Sequence, residues 1–417
     1  MNIAIIGAGV SGLTAARILC RHHNVAVFEA DDRVGGHANT VVVNEGERKL
    51  PIDTGFIVFN EPNYPNLCRL FDLLQVEHED SDMSFSVHCE QTGLEYNGSS
   101  LNTLFAQRRN MLRPGFWSML SDIFRFHREA AQIIAEDMDD RTTVRQYVNQ
   151  KKFGRTFVEH YLLPLGASLW SCDARQFESF PMRFVVEFLR NHRMLQTNGR
   201  PQWKTVKNGS FSYVQSLIGP FKNRIYASTP IRCVRRRPRG VEVVTRSGAR
   251  QDFDEVIMAT HADQALRIVE NPEADEHELL RYFPYQKNEA VLHTDTDLLP
   301  ERKTTWGSWN YRIPKTMNGH VTVTYNMNRL QNIDSERTYC VSLNQTGRIL
   351  RERVLSRIQY EHPLFVPGRC AAQARHAQLV RRRGISYCGA YWGFGFHEDG
   401  VRSAMDVCDA FSLGLDE

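Results

Sequence analysis

The first thirty residues alternate short apolar runs with one glycine-rich turn. Residues 2–6 are apolar and rich in isoleucine, which predicts a strand buried on both faces of a parallel sheet. The glycine turn at residues 7–12 follows, and an alanine-rich segment at about residues 11–21 predicts a helix. Residues 25–28 predict a second buried strand, which ends at Glu29. This order of strand, turn, helix, strand and acid is typical of a dinucleotide-binding unit.

Each glycine of the turn has a physical role in such a unit. Gly7 permits the tight turn, Gly9 lets a pyrophosphate approach the backbone, and Gly12 lets the helix pack closely on the strand. The free N–H groups at the helix start, around Val10 and Ser11, then face the phosphates, and the helix dipole favours their negative charge. Glu29 follows Gly12 by 17 residues, the spacing of a carboxylate that accepts hydrogen bonds from ribose hydroxyls.

Later segments predict a second region made of helices and an antiparallel sheet. Residues 101–200 are helical in pattern, and residues 84–88 and 94–96 predict a strand pair. Alternating or β-branched runs predict four sheet strands, at residues 289–294, 304–309, 320–325 and 339–343. A helix is predicted at residues 345–359. The predicted fold class is therefore α/β, with a Rossmann-type domain and a second domain of antiparallel sheet plus helices.

Composition excludes several functional classes. The chain has 417 residues, 42% hydrophobic and 24% charged, which is an ordinary globular composition. A net charge of +3 is too small to indicate a nucleic-acid partner. The nine cysteines form no CxxC pair, which argues against a metal site or a disulfide framework and fits a reducing cytosol. A strand at residue 2 leaves no room for a signal peptide, so we predict a cytoplasmic protein.

The segment at residues 104–126 is aromatic, basic and amphipathic. It carries Arg108, Arg109 and Arg113 beside an apolar run at residues 116–126. One interpretation is contact with an anionic membrane surface, which would place the protein peripherally at the inner membrane face. The other interpretation, which we favour, is a pair of helices that covers a hydrophobic substrate cavity, because amphipathic helices usually face a core.

After Glu29 the chain departs from the nicotinamide pattern. A loop with Arg33, Gly35, Gly36 and His37 leads into a strand, and an Asp-Thr-Gly-Phe segment follows at residues 53–56. This pattern resembles the superfamily of flavin amine oxidases, protoporphyrinogen oxidases and phytoene desaturases, in which the corresponding loop wraps FAD. Many members have arginine where this chain has His37.

The C-terminal segment at residues 385–411 resembles the closing FAD motif of the same superfamily. A strand ends in glycine, an aromatic loop follows, and a helix is predicted from about residue 398. A helix start at the flavin N1/C2=O edge stabilises the negative charge of reduced flavin. Pattern and resemblance together assign these residues to FAD: Gly7, Gly9, Val10, Ser11, Gly12, Glu29, Ala30, Arg33, Gly35, Gly36, His37, Gly55, Phe56, Ile231, Ala259, Thr260, Gly389, Phe396, His397, Glu398, Asp399 and Gly400.

The resemblance also implies the domain boundaries. The FAD-binding domain is discontinuous and consists of residues 1–60, 203–264 and 366–417. The substrate domain, with its helical cover, consists of residues 61–202 and 265–365. No cysteine occupies a flavin-tethering position in the closing segment, so FAD is predicted to be noncovalent.

Three side chains are candidates for moving protons. Amine oxidases place a lysine near flavin N5 on the strand that corresponds to residues 289–294, where this chain offers Glu289 and His293, with Lys287 just before. His397 is the titratable group of the closing loop, and histidine changes charge near neutral pH. We therefore predict His293, Glu289 and His397 as catalytic candidates. The predicted substrate pocket comprises Trp306, Tyr325, Trp392 and Phe396.

Several longer sequence motifs narrow the resemblance to one subfamily. The runs DTGFIVFNEPNYPNL, TWGSWNYR and CGAYWGFGFHEDG resemble bacterial FAD oxidoreductases associated with cyclopropane-fatty-acid synthase-type lipid methyltransferases. The resemblance implies hydride transfer to flavin N5 from a fatty-acyl or phospholipid substrate, with a lipid methyltransferase as a partner. The alternatives are an amine oxidase, a non-redox double-bond isomerase, and a non-catalytic flavoprotein scaffold for a lipid-modifying partner.

Overall fold

A five-stranded parallel sheet gathers segments from both ends and the middle of the chain. The structure is a computed structural model that describes residues 1–135, 139–196, 199–316 and 320–416. The strands of this sheet lie in the order Ile225–Tyr226, Asn24–Phe28, Asn2–Ile6, Glu255–Met258 and Ile385–Tyr387. Ile3 and Ile5 pack into one core and Ala4 and Ile6 into another. The first strand is therefore buried on both faces, as its apolar run predicts.

Two helices from opposite ends of the chain cover one face of the parallel sheet. They are Val10–Leu19, called here the opening helix, and His397–Asp409, called the closing helix. A Cβ added at Gly400 would lie 2.7 Å from Val10 Cγ1 and 2.9 Å from Ser11 Oγ. The closing helix thus approaches the start of the opening helix so closely that only glycine fits.

A seven-stranded sheet forms the core of the second region. Its strands lie in the order Val354–Pro363, Tyr285–His293, Cys340–Leu343, Val323–Asn326, Trp309–Ile313, Phe85–Cys89 and Leu94–Asn97. The strand Phe85–Cys89 runs parallel to Trp309–Ile313, while the other neighbouring pairs are antiparallel. The predicted strand pair and the predicted antiparallel sheet are therefore one mixed sheet.

The predicted helix at residues 345–359 is wrong. Two single 3-10 turns, Thr346–Arg348 and Arg351–Arg353, lead into the strand Val354–Pro363. This edge strand pairs antiparallel with Tyr285–His293 along its length. The four arginines and one glutamate of residues 345–359 resemble a solvated helix in the sequence, whereas the ladder of backbone hydrogen bonds makes residues 354–363 a strand.

Helices fill the region between residues 101 and 191, as their periodicity predicts. The longest is Pro114–Ala135, called here the cover helix. The others are Leu101–Leu104, the 3-10 turn Arg108–Leu112, Val144–Gln150, Arg155–Phe157, the π-helical turn Val158–Leu162, Leu163–Leu169, Ala174–Phe177 and Met182–Asn191. Within the described ranges, no helix combines the length and the apolar character that a membrane span requires.

Smaller elements connect the two regions. The remaining strands are Thr40–Glu45 with Arg48–Asp53, then Val58–Phe59, His78–Ser81 and Trp203–Val206, and the three-stranded sheet Ile231–Arg236, Val241–Thr245 and Arg250–Phe253. The remaining helices are Pro65–Leu73, Phe211–Ile218, Ala262–Ile268, Ala274–Leu280, Met327–Leu330 and Arg369–Gln373. Further 3-10 turns are Gly219–Arg224, Thr296–Leu298, Lys303–Thr305, His376–Leu379 and Ala390–Trp392. The predicted domain boundaries stay a prediction.

Candidate active site

One large cavity lies between the parallel sheet, the seven-stranded sheet and the helical region. Its volume is about 1600 Å³. Sites for a single drug-sized ligand measure roughly 300–1,000 Å³. The cavity therefore has room for a dinucleotide and a second ligand.

The glycine turn forms one end of the cavity. A Cβ added at Gly12 would lie 2.0 Å from Gly7 O, so the opening helix packs directly on the turn. A Cβ added at Gly9 would meet no heavy atom within 4 Å and would project into open space. Gly9 is the N-cap of the opening helix, and no side chain caps it. The helix start therefore presents its backbone N–H groups to an anion.

The loop after the second strand lies against this turn. Gly35 N donates to Ala8 O at 2.8 Å, and Arg33 Nη1 donates to Gly36 O at 2.8 Å. Gly36 has a φ of +58°, and a Cβ there would lie 3.1 Å from Gly9 Cα. The loop thus covers the glycine turn at a distance that a side chain would prevent.

The glycine turn at residues 7–12 and the loop that covers it, which carries Arg33, Gly35 and Gly36, are together called here the cradle. Glu29 lies at its edge. Its Oε2 accepts a hydrogen bond from Ala8 N at 2.7 Å and its Oε1 accepts one from Asp31 N at 3.0 Å. A carboxylate has about four lone-pair sites. Glu29 lines the cavity and therefore retains capacity for hydroxyl donors, as its place in the sequence predicts.

Aromatic and imidazole rings form the wall where the cradle meets the rest of the cavity. Phe56 N donates to His37 O at 2.7 Å, which joins two loops that sequence reasoning had placed together. The His37 ring stacks on Tyr360 with centroids 4.7 Å apart, and the Phe56 ring stacks on His397 with centroids 3.7 Å apart. Burial lowers the pKa of His397 to about 3. This wall is therefore uncharged at neutral pH.

His362 is a cavity residue that sequence reasoning missed. Its Nδ1 accepts a hydrogen bond from Asn288 Nδ2 at 2.8 Å, and that amide nitrogen also donates to Ser171 O. Asn288 Oδ1 accepts from Asn344 Nδ2, so the amide orientation is fixed and the His362 proton lies on Nε2. Burial lowers the pKa of His362 to about 4. The signal was hidden because residues 345–359 were taken for a helix, which ended the predicted sheet before residue 362.

Most of the predicted FAD residues meet on the cavity wall. They are Gly7, Gly9, Val10, Ser11, Glu29, Ala30, Arg33, Gly36, His37, Gly55, Phe56, Ile231, Ala259, Thr260, Gly389, Phe396 and His397. Gly12, Gly35 and Gly400 stand behind the wall and permit close backbone packing. Glu398 and Asp399 do not reach the cavity wall.

Glu398 caps a helix instead. Its Oε2 accepts from Leu67 N at 2.9 Å, and its Oε1 accepts from Asn66 N at 3.2 Å and from Asn66 Nδ2 at 2.6 Å. It therefore satisfies the first N–H groups of the helix Pro65–Leu73. Asp399 accepts from Phe396 N at 3.0 Å within its own helix start and pairs with Arg402 at 3.0 Å. Both carboxylates are thus engaged within the protein, and neither side chain reaches the cavity wall. The predicted contact of this helix start with the flavin stays a prediction.

Replacing Glu398 with alanine is expected to lower the free energy of unfolding by about 1–2 kcal/mol, because a helix cap is lost. Glu398→Gln keeps one acceptor oxygen and is expected to lose less. Urea unfolding of the purified variants measures both values. FAD content is expected to equal that of the parent protein; an alanine variant that loses FAD at unchanged stability would contradict the capping role.

The predicted catalytic pair on the strand Tyr285–His293 lies away from the cavity. His293 is fully buried, with its Nε2 2.8 Å from Ser342 Oγ and its Nδ1 accepting from Asp295 N at 3.0 Å. Glu289 accepts a hydrogen bond from Thr346 Oγ1. Neither residue is on the cavity wall, whereas Lys287 is. The prediction is corrected here because both side chains point to the sheet face that packs on the 3-10 turns.

Two of the four predicted pocket residues line the cavity. Tyr325 and Phe396 are on the wall. Trp306 precedes the actual strand Trp309–Ile313, and its Nε1 donates to Pro300 O at 2.7 Å. Trp392 stacks on His376 with centroids 4.3 Å apart, on the far side of the parallel sheet. The prediction that Trp306 and Trp392 line the pocket is corrected. The strand begins at Trp309, after Trp306, and the aromatic loop places Trp392 on the other side of the parallel sheet.

The end of the cavity beyond Phe396 is an apolar chamber. The cover helix contributes Leu120 and Ile123, and the aromatic loop contributes Phe394. Its other apolar and aromatic wall residues are Phe85, Tyr96, Leu104, Tyr161, Leu165, Leu169, Trp170, Phe188, Met194, Trp309 and Tyr325. The amphipathic helices thus cover a hydrophobic cavity, as we favoured. Periodicity placed them over a cavity but did not identify which side chains enter it.

The residues of the cradle fit FAD. Space at Gly9, an uncapped helix start and an acid with free lone pairs suit the pyrophosphate and ribose of an adenine dinucleotide. The wall beyond them is neutral and aromatic, which suits a flavin ring. No cysteine is among the residues that line the cavity, so the described wall offers no thiol to tether the cofactor.

Comparison with known proteins places the chain among flavoenzymes. The family model for flavin containing amine oxidoreductase matches residues 10–328. A protoporphyrinogen oxidase 2, chloroplastic/mitochondrial, from Arabidopsis thaliana is 56% identical over 236 residues, which cover 51% of this chain and 44% of that protein. The chain spans less than half the length of the first curated relatives it matches.

Solved structures share the fold over nearly the whole chain. A mutant of putrescine oxidase, made in a redesign of its cofactor binding, has a TM-score of 0.69 at 17% identity and covers 99% of this chain and 98% of that chain. A CLA-producing fatty acid isomerase from P. acnes has a TM-score of 0.68 at 15% identity and covers 98% of both chains. At such identities the likeness concerns the fold.

Proposed function

Because the chain belongs to the family of flavin containing amine oxidoreductases, we propose that it is an FAD-dependent oxidoreductase whose substrate is a long apolar chain of the fatty-acyl class. One observation carries the substrate class: a single continuous cavity joins the dinucleotide cradle to the apolar chamber. When bound, FAD supplies the hydride acceptor, which protein side chains cannot provide.

The acidic residues on the cavity wall are already paired or belong to the cradle, and this argues against a cationic amine as the ligand of the chamber. Asp82 Oδ2 is already paired with Arg329 Nη2 at 2.6 Å, and Glu361 Oε2 with His261 Nδ1 at 3.1 Å. Glu29 and its neighbour Asp31 belong to the cradle. Among the described wall residues, Asp82 and Glu361 are thus the carboxylates outside the cradle, and each already has a basic partner. A substrate ammonium would therefore lose its hydration without gaining a counter-ion.

The chamber walls favour an acyl chain for the same physical reason. Trp170, Phe188 and Phe394 form one aromatic cluster, with ring centroids 5.0 Å apart between Trp170 and Phe188 and 5.7 Å apart between Phe188 and Phe394. Methylene groups gain about 0.8 kcal/mol each when such a surface removes them from water. A chain of many methylenes therefore binds with useful affinity without a polar anchor.

Two neutral imidazoles line the cavity in this proposal. His397 lies on the wall with its Nε2 3.1 Å from Tyr213 OH, and His362 lies on the wall with its tautomer fixed by Asn288. Both have a pKa held low by burial, so both are uncharged at pH 7. An uncharged ring can accept a proton released from substrate only at a nitrogen that carries no proton. In His362 that nitrogen is Nδ1, which already accepts from Asn288, so His397 is the candidate proton acceptor and His362 offers its Nε2–H as a hydrogen-bond donor.

Anaerobic addition of acyl lipids to the oxidised holoprotein is expected to bleach the flavin absorbance, and putrescine is expected to leave it unchanged. Leu120→Gln puts an amide into the chamber wall and should slow bleaching about tenfold or more at unchanged FAD content. The matched control is Leu355→Gln, at an exposed leucine outside the cavity. Bleaching by amines but by no lipid would overturn the proposal.

A double-bond isomerase is the second candidate. A fatty acid isomerase shares the fold, so the same architecture is compatible with this chemistry, and the apolar chamber suits an acyl substrate in either case. Mass spectrometry of the product separates the two functions, because isomerisation leaves the substrate mass unchanged and oxidation removes two hydrogen atoms.

A further inference from the structure

The surface outside the apolar chamber exposes a group of large apolar side chains. Exposed fractions are 77% for Leu101, 86% for Leu112 and 62% for Phe124. Met111 and Trp117 are also about half exposed. We call these five residues the docking surface. Large exposed apolar patches on a protein mark sites of interaction with other molecules or membranes.

Three arginines accompany the docking surface. Arg108 and Arg109 are exposed and Arg113 is half-buried. Arg108 Nη2 donates to Asn102 Oδ1 at 2.7 Å and Arg109 Nη2 to Gly93 O at 2.9 Å. Within the described ranges, none of these three arginines forms an ion pair with a carboxylate. The surface therefore carries uncompensated positive charge.

The acids on the same segment do not neutralise these arginines. Asp122 accepts a hydrogen bond from Gly154 N at 2.9 Å and pairs with Arg125 at 3.2 Å. Glu129 accepts from Tyr147 OH at 3.1 Å and lies 3.8 Å from the same Arg125. Both carboxylates thus bind partners on the inner side of the cover helix, and the outer side keeps its positive charge.

The docking surface is continuous with the cavity. Phe124 is exposed and also lines the cavity. One turn earlier, Leu120 is half-buried on the chamber wall, and Leu104 reaches that wall from the short helix Leu101–Leu104. Phe124 therefore joins the docking surface to the wall of the chamber.

We propose that the docking surface binds an anionic phospholipid membrane and that the acyl substrate enters the chamber past Phe124. The inference rests on the proposed function, because it names the source of the acyl chain. Apolar side chains beside cations are the pattern of helices that lie in the membrane interface. Trp117 adds an indole whose Nε1 donates to Met111 O at 2.9 Å and whose ring contacts Phe105 on one side, with 52% of the residue exposed to an apolar layer.

Charge selects the membrane over a second copy of this chain. A twofold dimer would place the same patch against itself. Arg108, Arg109 and Arg113 would then face their own copies, and like charges across an interface oppose association. Anionic headgroups supply the opposite charge.

Flotation of the FAD-loaded protein with lipid vesicles tests the inference. Vesicles of phosphatidylglycerol and phosphatidylcholine are expected to carry the protein, whereas vesicles of phosphatidylcholine alone bind it weakly. The triple variant Arg108→Gln, Arg109→Gln, Arg113→Gln should lose about fivefold in partitioning per arginine. The double variant Leu112→Ser, Trp117→Ser should lose binding to both kinds of vesicle.

Matched controls use residues of the same types elsewhere on the surface. Arg232→Gln, Arg239→Gln and Arg250→Gln together change the net charge equally, and Leu350→Ser with Leu355→Ser removes two exposed apolar side chains away from the docking surface. Both control proteins are expected to float like the parent. Equal flotation of the docking and control variants would overturn the inference, and so would a dimer in solution that the Leu112→Ser, Trp117→Ser variant abolishes.

Failure of the docking inference is distinguishable from failure of the proposed function. Docking variants are expected to oxidise a short-chain lipid dissolved below its micelle concentration at the parent rate, while oxidation of vesicle lipid slows. If no lipid in any form bleaches the flavin, the proposed function fails, whatever the flotation result. If dissolved lipid is oxidised and vesicle binding does not respond to the docking variants, the docking inference fails alone.

Discussion

Replacing Gly9 with valine is expected to give a folded protein that no longer retains FAD. The φ and ψ of Gly9 are −79° and −178°, which a valine adopts without strain. A Cβ at this position meets only open space in the cradle, so the protein itself has no clash to relieve. The side chain occupies the space where a pyrophosphate approaches the helix start. Overpacking of this kind costs about 1–3 kcal/mol, or roughly 5- to 150-fold in affinity.

Gly12→Ala is the matched control for that experiment. Its Cβ would lie 2.0 Å from Gly7 O, so the opening helix must move away from the turn. We expect this variant to lose stability as well as FAD, while Gly9→Val loses FAD alone. Flavin absorbance of the purified proteins and urea unfolding of their FAD-free forms separate the two effects. A Gly9→Val protein that binds FAD like the parent would contradict the cradle.

Acidification below pH 6.5 is expected to destabilise the protein by several kcal/mol. Burial lowers the pKa of His192 and His362 to about 4 and that of His397 to about 3, from an ordinary value of 6.5. At these three rings the unfolded chain therefore binds more protons than the folded one between about pH 4 and pH 6.5. The buried carboxyls of Asp53 and Asp399, whose pKa values burial raises to about 7 and about 6, offset part of this difference. The free energy of unfolding then falls as the pH falls, by up to about 1.4 kcal/mol for each histidine per pH unit.

Urea unfolding of the FAD-free protein at a series of pH values measures this slope. The double variant His192→Gln, His362→Gln removes two of the titrating rings and should flatten the slope by up to about 2.8 kcal/mol per pH unit. His22→Gln, which replaces an exposed histidine in the same way, is the matched control substitution. Equal stability at pH 7 and pH 5 would show that these rings are hydrated in the folded protein.

The local pattern at the chain start carried most of the correct predictions. Strand, turn, helix and acid are adjacent in sequence, so their geometry follows from short-range sterics and burial. Gly9 and Glu29 therefore lie in the cradle where the pattern placed them. The resemblance then supplied what no local pattern contains, namely that the residues around Gly389 return to the same cavity.

The errors arose where tertiary partners decide the structure. Residues 345–359 were assigned to a helix, whereas the strand Val354–Pro363 forms there by pairing with Tyr285–His293. That pairing brings His362 to the cavity. The face of the central strand that carries His293 is chosen by packing across the sheet, and one residue of register decides it. Single-sequence periodicity contains no information on either choice.

Acidic residues at a helix start illustrate a second limit. Glu398 and Asp399 stand where a helix dipole would face a flavin, and sequence reasoning assigned them to it. In the structure, Glu398 reaches across to the N–H groups of Asn66 and Leu67. The sequence separation of more than three hundred residues made that partner invisible before the fold was known.

The most direct test of the whole account is mass analysis of the small molecules extracted from the purified, coloured protein. The account predicts FAD together with a long-chain acyl lipid, because one cavity joins the cradle to the apolar chamber. Leu120→Gln should keep the FAD and lose the lipid. A protein that carries no FAD and takes none up from solution, or one that carries FAD with a polar amine in place of a lipid, would contradict it.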